Sequence, residues 1–465
     1  MEEHQEKLIK KQESMYLPEK VEWKPLIDGP LCQQIREIAF WLAERLYDPE
    51  DVYNCIQTLA TPTLNTYRWS ASSLVGGTVG LALFYGYLAR CFPERDWHTV
   101  ARAHIQFAAQ STHEQGFQSP GLFEGVSGLN LILCYLDQET VCYQRTRSEL
   151  YRLLCRTIER YIWHNKQKEK EITTKEYNVV SGAAGLLAYF LSDTLSLAFP
   201  ELAQPAIETL VEYLTWLGEP GQIKARERWF IPAQALPQDF YRQSFPSGYF
   251  NCGMAHGIPG PLAALALARL HGYTYPGLDE TVAYLSKWLL EHCVYDTWGI
   301  NWPAAVPLEA AEDQLAIRSL AGTWAAWCYG SPGVARSLWL AGQALDNEQF
   351  RQSSLQAMEA ALRRPPAQQR LTSPNLCYGI AGLLLTCLHF AHECPESPII
   401  QYVHPLLRRL LSTFHPDTPF GFRDSIKGIA IDQPGWLTGA PGIVMALLAT
   451  ATSIFPTWSR ILLLA

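Results

Sequence analysis

A Gly-x-x-Gly unit followed by an apolar stretch recurs seven times along this chain, and a repeat at such spacing restricts the fold more than any single motif. The copies read SLVGGTVGLALFYGYL, LFEGVSGLNLILCYL, YNVVSGAAGLLAYFL, GMAHGIPGPLAALALA, WCYGSPGVARSLWLAG, LCYGIAGLLLTCLHF and WLTGAPGIVMALLA. Their first glycines, Gly77, Gly125, Gly182, Gly257, Gly330, Gly379 and Gly439, lie 48, 57, 75, 73, 49 and 60 residues apart, room in each step for one helix out and one back. The stretches after each unit are apolar nearly all round, as befits helices buried on every side. Between them lie amphipathic stretches such as LCQQIREIAFWLAERLY and AIETLVEYLTWL, with apolar residues at i, i+3, i+4 and i+7. The pattern predicts an all-α chain: an α/α toroid of seven inner and seven outer helices. Closure also accounts for the first and last copies lacking the polar cap that an open solenoid needs. One toroid domain is expected over 21–465, after a charged N-terminal extension over 1–20. The Pro-, Gly- and aromatic-rich stretch at about 217–250 reads as an irregular insertion, and the charged run 156–176 as a solvated helix end and loop.

The 465 residues are 48% hydrophobic and 18% charged, a composition for a folded chain. Lys plus Arg at 37 against Asp plus Glu at 45 leave a net charge of −8, which offers no electrostatic footprint for nucleic acid or an anionic membrane. The opening MEEHQEKLIKKQES lacks the apolar core of a signal peptide, and no run approaches the ~18 apolar residues of a membrane span, so a cytoplasmic protein without membrane insertion is expected. Twelve cysteines without a CxxC pair argue against a disulfide framework, and ten of them read as core residues.

The remaining two stand out in the alignment of the repeats. One position before the first glycine stand Gly76, Glu124, Ser181, His256, Tyr329, Tyr378 and Thr438; two positions before it stand Val75, Phe123, Val180, Ala255, Cys328, Cys377 and Leu437. His256, Cys328 and Cys377 thus mark the turns into inner helices four, five and six, neighbours in a ring, at the end where positive helix N-termini converge. Two thiols and an imidazole begin a zinc site, and the helix dipoles should favour thiolates. His389 falls 12 residues along the sixth inner helix from Cys377, about 18 Å from the turn, and reads as a core or outer-face residue. His292 and Cys293 read as a pair at a helix C-terminus. A glycosidase of this architecture would need paired carboxylates. Glu124 is the only acid at the aligned positions.

AHGIPG, WCYGSPG, CYGIAG and GWLTGAPGI, set within the sevenfold repeat, resemble the lanthionine synthetase C family of lanthipeptide cyclases, over nearly the whole chain from about residue 30. YFNCGMAHGIPGPLAAL is more similar to the stand-alone bacterial class I cyclases. The resemblance implies an α/α toroid holding one Zn²⁺. The metal would bind a cysteine thiol of a dehydrated precursor peptide, and the thiolate would add to a dehydroalanine or dehydrobutyrine to close a thioether ring. It implies Cys328 and Cys377 as metal ligands and His256 as acid/base. As partners it implies the dehydrated precursor peptide, the cognate dehydratase and an export transporter, which would bring the protein to the inner membrane face.

The chain departs from the family at three places. Where the family has a histidine as third zinc ligand stands Tyr378, whose phenol ligates only when ionised, with an ordinary pKa near 10. An aspartate four positions before the third glycine is replaced by Asn178, which keeps a hydrogen bond at the catalytic end but takes up no proton. Trp324 replaces an arginine. Three readings follow: zinc held with a substitute such as Tyr378, His256 or Cys252; cyclisation without metal; or a homologue that binds the modified peptide and scaffolds the dehydratase without catalysis. Trp229 and Tyr249 of the insertion are expected in the peptide cleft.

Overall fold

The computed structural model describes residues 22–59, 69–115, 119–140, 143–167, 172–192, 199–220, 227–236, 243–426 and 428–465; the charged extension 1–20 lies outside them. Among the described residues, fourteen helices form two rings, alternating between outer and inner, with a few shorter helices between them. The outer helices are α1 (Pro30–Arg45), α3 (Trp97–Gln115), α5 (Gln144–Gln167), α7 (Pro200–Gly218), α9 (Leu278–Glu291), α11 (Glu348–Arg363) and α13 (Val403–Leu411). The inner ones are α2 (Thr78–Cys91), α4 (Val126–Thr140), α6 (Ala183–Ser192), α8 (Pro259–Leu270), α10 (Ser331–Ala344), α12 (Ile380–Glu393) and α14 (Ala440–Ala451).

The two rings bury different fractions of themselves, as their patterns require. In α1 the buried residues are Ile35, Ile38, Ala39, Leu42 and Ala43, one stripe facing inward. In α12 every residue from Ile380 to Ala391 is buried. The second glycine of each unit is where neighbouring units touch. A Cβ on Gly333 would stand 2.1 Å from the Trp327 carbonyl oxygen and 2.7 Å from Cβ of Met254 in the preceding unit. No side chain fits there, so the glycine sets how closely inner helices approach.

Closure is visible in the backbone. The residues just before the first glycines hand hydrogen bonds around the ring: Val75 N–H to Phe123 C=O (3.4 Å), Phe123 to Val180 (3.1 Å), Val179 to Ala255 (3.2 Å), Ala255 to Cys328 (3.4 Å), Cys328 to Cys377 (3.1 Å), Cys377 to Leu437 (3.2 Å) and Leu437 back to Val75 (3.3 Å). Seven turns therefore stand side by side at one rim. The segment Thr457–Leu462 fills the middle: Trp458 packs edge-on to Trp436, the Trp327 indole N–H donates to the Leu462 carbonyl (2.9 Å), and Leu462, Leu463 and Leu464 are fully buried.

Among the described residues three short antiparallel strand pairs decorate the helical frame, β1 (Tyr249–Asn251) with β4 (Ala305–Pro307), β2 (Val294–Asp296) with β3 (Gly299–Asn301), and β5 (Arg423–Ile426) with β6 (Ile429–Asp432). The periodicity did not indicate them, since each spans three or four residues. Within the 217–250 insertion, Trp229 is fully buried and packs edge-on against Trp288 of α9 and Tyr284. It covers the toroid and is no cleft residue, which corrects the sequence reading. Tyr249 pairs with Pro307 and Ile231 in the strand layer. His389 is a core residue bonded to Ser459 Oγ (2.9 Å), and His292 caps α9 while stacked on Trp288. No helix among the described residues is long and apolar enough to cross a membrane.

Candidate functional site

Turns three to six of the rim carry the chemistry. The short helix Thr174–Tyr177 delivers Asn178: Thr173 and Glu176 form a capping box, with the Glu176 carboxylate accepting from the Thr173 backbone N–H (2.8 Å). Asn178 then serves its own turn, its Oδ1 accepting from the backbone N–H of Ser181 (2.8 Å) and Gly182 (3.1 Å). Because those two donors fix the oxygen, the amide nitrogen faces the fourth turn, where Nδ2 donates to His256 Nδ1 (3.1 Å). A ring nitrogen that accepts carries no proton, so neutral His256 is protonated at Nε2. Burial pushes its pKa below the ordinary value, which favours this neutral form.

Asn375 stands in the sixth turn where Asn178 stands in the third, four residues before the glycine. Its Oδ1 accepts from the Tyr378 backbone N–H (2.9 Å), and its Nδ2 donates to Asp424 Oδ1 (3.3 Å). The asparagine is thus a turn cap first, and its second hand reaches whichever polar group faces it.

Cys328 and Cys377 meet, as the alignment of the repeats indicated: their thiols interact and their turns are joined through Cys328 N–H and Cys377 C=O (3.1 Å). The expected thiolate is not favoured. Interaction with the Cys328 thiol, burial and the Asp424 carboxylate together hold the Cys377 thiol well above its usual range.

Tyr378 is held by a carboxylate. Its hydroxyl donates to Asp424 Oδ2 on β5, and burial together with that carboxylate raises the phenol pKa far from neutrality. Asp424 is itself buried and also accepts from Ser425 N–H (2.7 Å) and Gln433 Nε2 (3.4 Å). Cys252 is a core thiol near the Phe250 carbonyl, pushed up to about 12 by burial. Among the described residues no three His, Cys, Asp or Glu side chains are arranged to hold a metal ion. The donor set is two thiols and a committed phenol, which does not fit a zinc shell with about three protein ligands.

Two further residues complete the rim. Tyr329 accepts from Asn251 Nδ2 (3.1 Å) and lies with its ring centroid 6.5 Å from that of His256. Trp324, 42% exposed, stands edge-on to Tyr329. Sequence reasoning placed Asn178, His256, Cys328, Cys377 and Tyr378 at one rim, as found. It missed Asp424, Asn375 and Asn251; the asparagine at the same offset in the third and sixth turns was a readable signal for Asn375.

The model of the family described as lanthionine synthetase C-like protein matches residues 68–463. The nisin biosynthesis protein NisC of Lactococcus lactis subsp. lactis is 23% identical over 373 residues, covering 77% of this chain and 83% of that protein. A solved structure of nisin cyclase superposes with a TM-score of 0.73 at 20% identity, over 90% of this chain and 98% of that one. The sevenfold ring, the rim residues and the family match agree, and the chain belongs to the lanthionine synthetase C-like family.

Proposed function

We propose that this protein is a lanthipeptide cyclase, acting on a dehydrated precursor peptide and working beside the cognate dehydratase and an export transporter at the cytoplasmic face of the membrane. The observation that carries the reading is that His256, oriented by Asn178, and the Cys328–Cys377 thiol pair occupy three consecutive turns of one closed rim. Family membership and the likeness to NisC support the substrate class.

The reaction is balanced without oxidant or water. A peptide thiol loses its proton, its sulfur bonds to Cβ of a dehydroalanine or dehydrobutyrine, the Cα=Cβ pair moves toward the carbonyl, and a proton returns at Cα. Negative charge gathers on the carbonyl oxygen as the bond forms, and a donor placed there lowers the barrier. His256 supplies Nε2–H for that oxygen. Its Nδ1 faces an N–H donor, so the imidazolium that an acid/base role requires is opposed by Asn178. Cys328 and Cys377 form a soft floor for the incoming sulfur.

Incubation with a dehydrated peptide tests this. The peptide mass stays constant while alkylatable thiols disappear, and His256→Ala slows the loss by about 100-fold or more. Thiols that remain free with native protein, while the peptide still binds, leave the non-catalytic presenting role.

A further inference from the structure

Helix α5 carries its apolar residues on two sides. Its inward stripe packs Tyr151, Leu154, Ile158 and Ile162 into the core, yet Leu153 is 49% and Trp163 is 63% exposed. These two edge a groove of about 570 Å³ between α5 and the second turn of the rim, floored by Pro120, Val126 and Tyr161. An outer helix needs no such residues for the ring; their exposure beside a concavity marks a contact surface.

Hydrogen bonds link the groove wall to the candidate site. The Tyr161 hydroxyl donates to the Ser181 carbonyl (3.5 Å), the Ser181 N–H donates to Asn178 Oδ1 (2.8 Å), and Asn178 donates to His256 (3.1 Å). Three hydrogen bonds therefore separate the groove wall from the imidazole.

Charge selects the occupant. Arg152, Arg156 and Arg160 recur every fourth residue on exposed positions of α5, and Arg160 lines the groove itself. Among the described residues neither Arg156 nor Arg160 has an ion-pair partner. The nearby acid Glu149 is held by Arg145 (3.0 Å), and Glu159, three residues beyond Arg156, pairs with neither arginine, so among the described residues three arginines face one unengaged carboxylate along this side of the helix. In a chain of net charge −8, this is a local basic lip on an apolar slot.

We propose that the α5 groove receives an acidic segment of the peptide substrate, anchored by one or two large apolar side chains, while a more distant part of the same peptide reaches the rim at His256. The assignment of the occupant rests on the cyclase reading. Binding energy collected away from the reacting atoms holds the peptide through successive encounters between thiols and dehydro residues. Arg156 and Arg160 act as positioning residues.

The test separates binding from chemistry. A fluorescein-labelled synthetic peptide of about fourteen residues, alternating Leu or Phe with Asp or Glu and free of Cys, Ser and Thr, is titrated with the full-length protein and followed by anisotropy. Saturable binding is expected, weakened at least tenfold by Arg156→Glu/Arg160→Glu, about fivefold by Trp163→Ser, and abolished when Lys replaces every acid in the peptide. With the dehydrated precursor, the loss of kcat/KM in the double variant lies in KM. Affinity indifferent to the arginines or to the peptide's charge overturns the proposal, as does a dimer in sedimentation that Trp163→Ser dissolves, which would make the occupant a second copy. If peptide binds as expected but no thiol is consumed, the cyclase reading fails and the groove stands; if cyclisation proceeds and the probe does not bind, the groove alone falls.

Discussion

Asn178 presents its amide N–H to Nδ1 of His256 at 3.1 Å, and this one contact decides which nitrogen of the imidazole holds the proton. A carboxylate at the same position would reverse the direction of the bond and place the proton on Nδ1.

Asn178→Asp should therefore move the proton and raise the His256 pKa from its depressed position. An adjacent carboxylate favours the imidazolium by roughly 1 to 3 pH units. Histidine ¹⁵N shifts should show an unprotonated Nδ1 in the native protein at neutral pH and a protonated one in the variant, and the acid limb of the rate profile should move to higher pH. A native spectrum with Nδ1–H already present would sink the argument.

The sixth turn predicts metal content. With Tyr378 committed to Asp424, protein purified with zinc should carry well below one equivalent by elemental analysis, whereas Tyr378→His, which adds an imidazole beside Cys328 and Cys377, should approach one. Stoichiometric native zinc lost on Cys328→Ala would show that another group completes the shell.

Buried histidines make the fold acid-sensitive. His104, His256, His271 and His389 all have pKa values lowered by burial, His104 to about 4. Each binds its proton more weakly when folded than when unfolded, so the stability it contributes is complete above about pH 6.5 and lost as pH falls below that value. For His104 the loss by pH 4 is on the order of 3 kcal/mol. His104→Gln, which keeps a donor for the Leu46 carbonyl 2.9 Å away, should flatten the pH dependence of the denaturation midpoint by that amount. An unchanged slope would show that another group titrates.

Two glycines should respond unequally to alanine. Gly333→Ala drives a methyl into Trp327 and Met254 and should cost about 3 kcal/mol or more by chemical denaturation. Gly428→Ala meets nothing within 4 Å and pays only for its φ of +80°, about 1 kcal/mol. Equal losses would refute the view that neighbouring units meet at the second glycine.

The ring was legible in the spacing of the glycines because both glycines of each unit answer steric demands that no other residue meets. The rim was legible for the same reason: turns at one offset become neighbours, so Cys328 and Cys377 could be paired across 49 residues. Asp424 was not legible. It comes from β5, inserted ahead of the seventh unit at no repeating offset, and its approach to Tyr378 exists only in the folded layer. The direction of the Asn178–His256 bond was hidden as well, since it depends on two backbone N–H groups having already claimed the asparagine oxygen. Trp229 misled because aromatic residues in a long insertion look alike whether they cover a core or await a ligand.

The hydrogen bond from Leu437 to Val75 ties together residues about 360 positions apart. Ribosomes add about 5 to 20 residues per second, so the first turn waits roughly 20 to 70 s for its partner to be synthesised. Throughout that time the nascent chain is an open arc with two unsatisfied ends, and the last unit acts as a keystone. Protection of the growing arc by chaperones, rather than the speed of any local folding step, should govern how much finished protein a cell obtains.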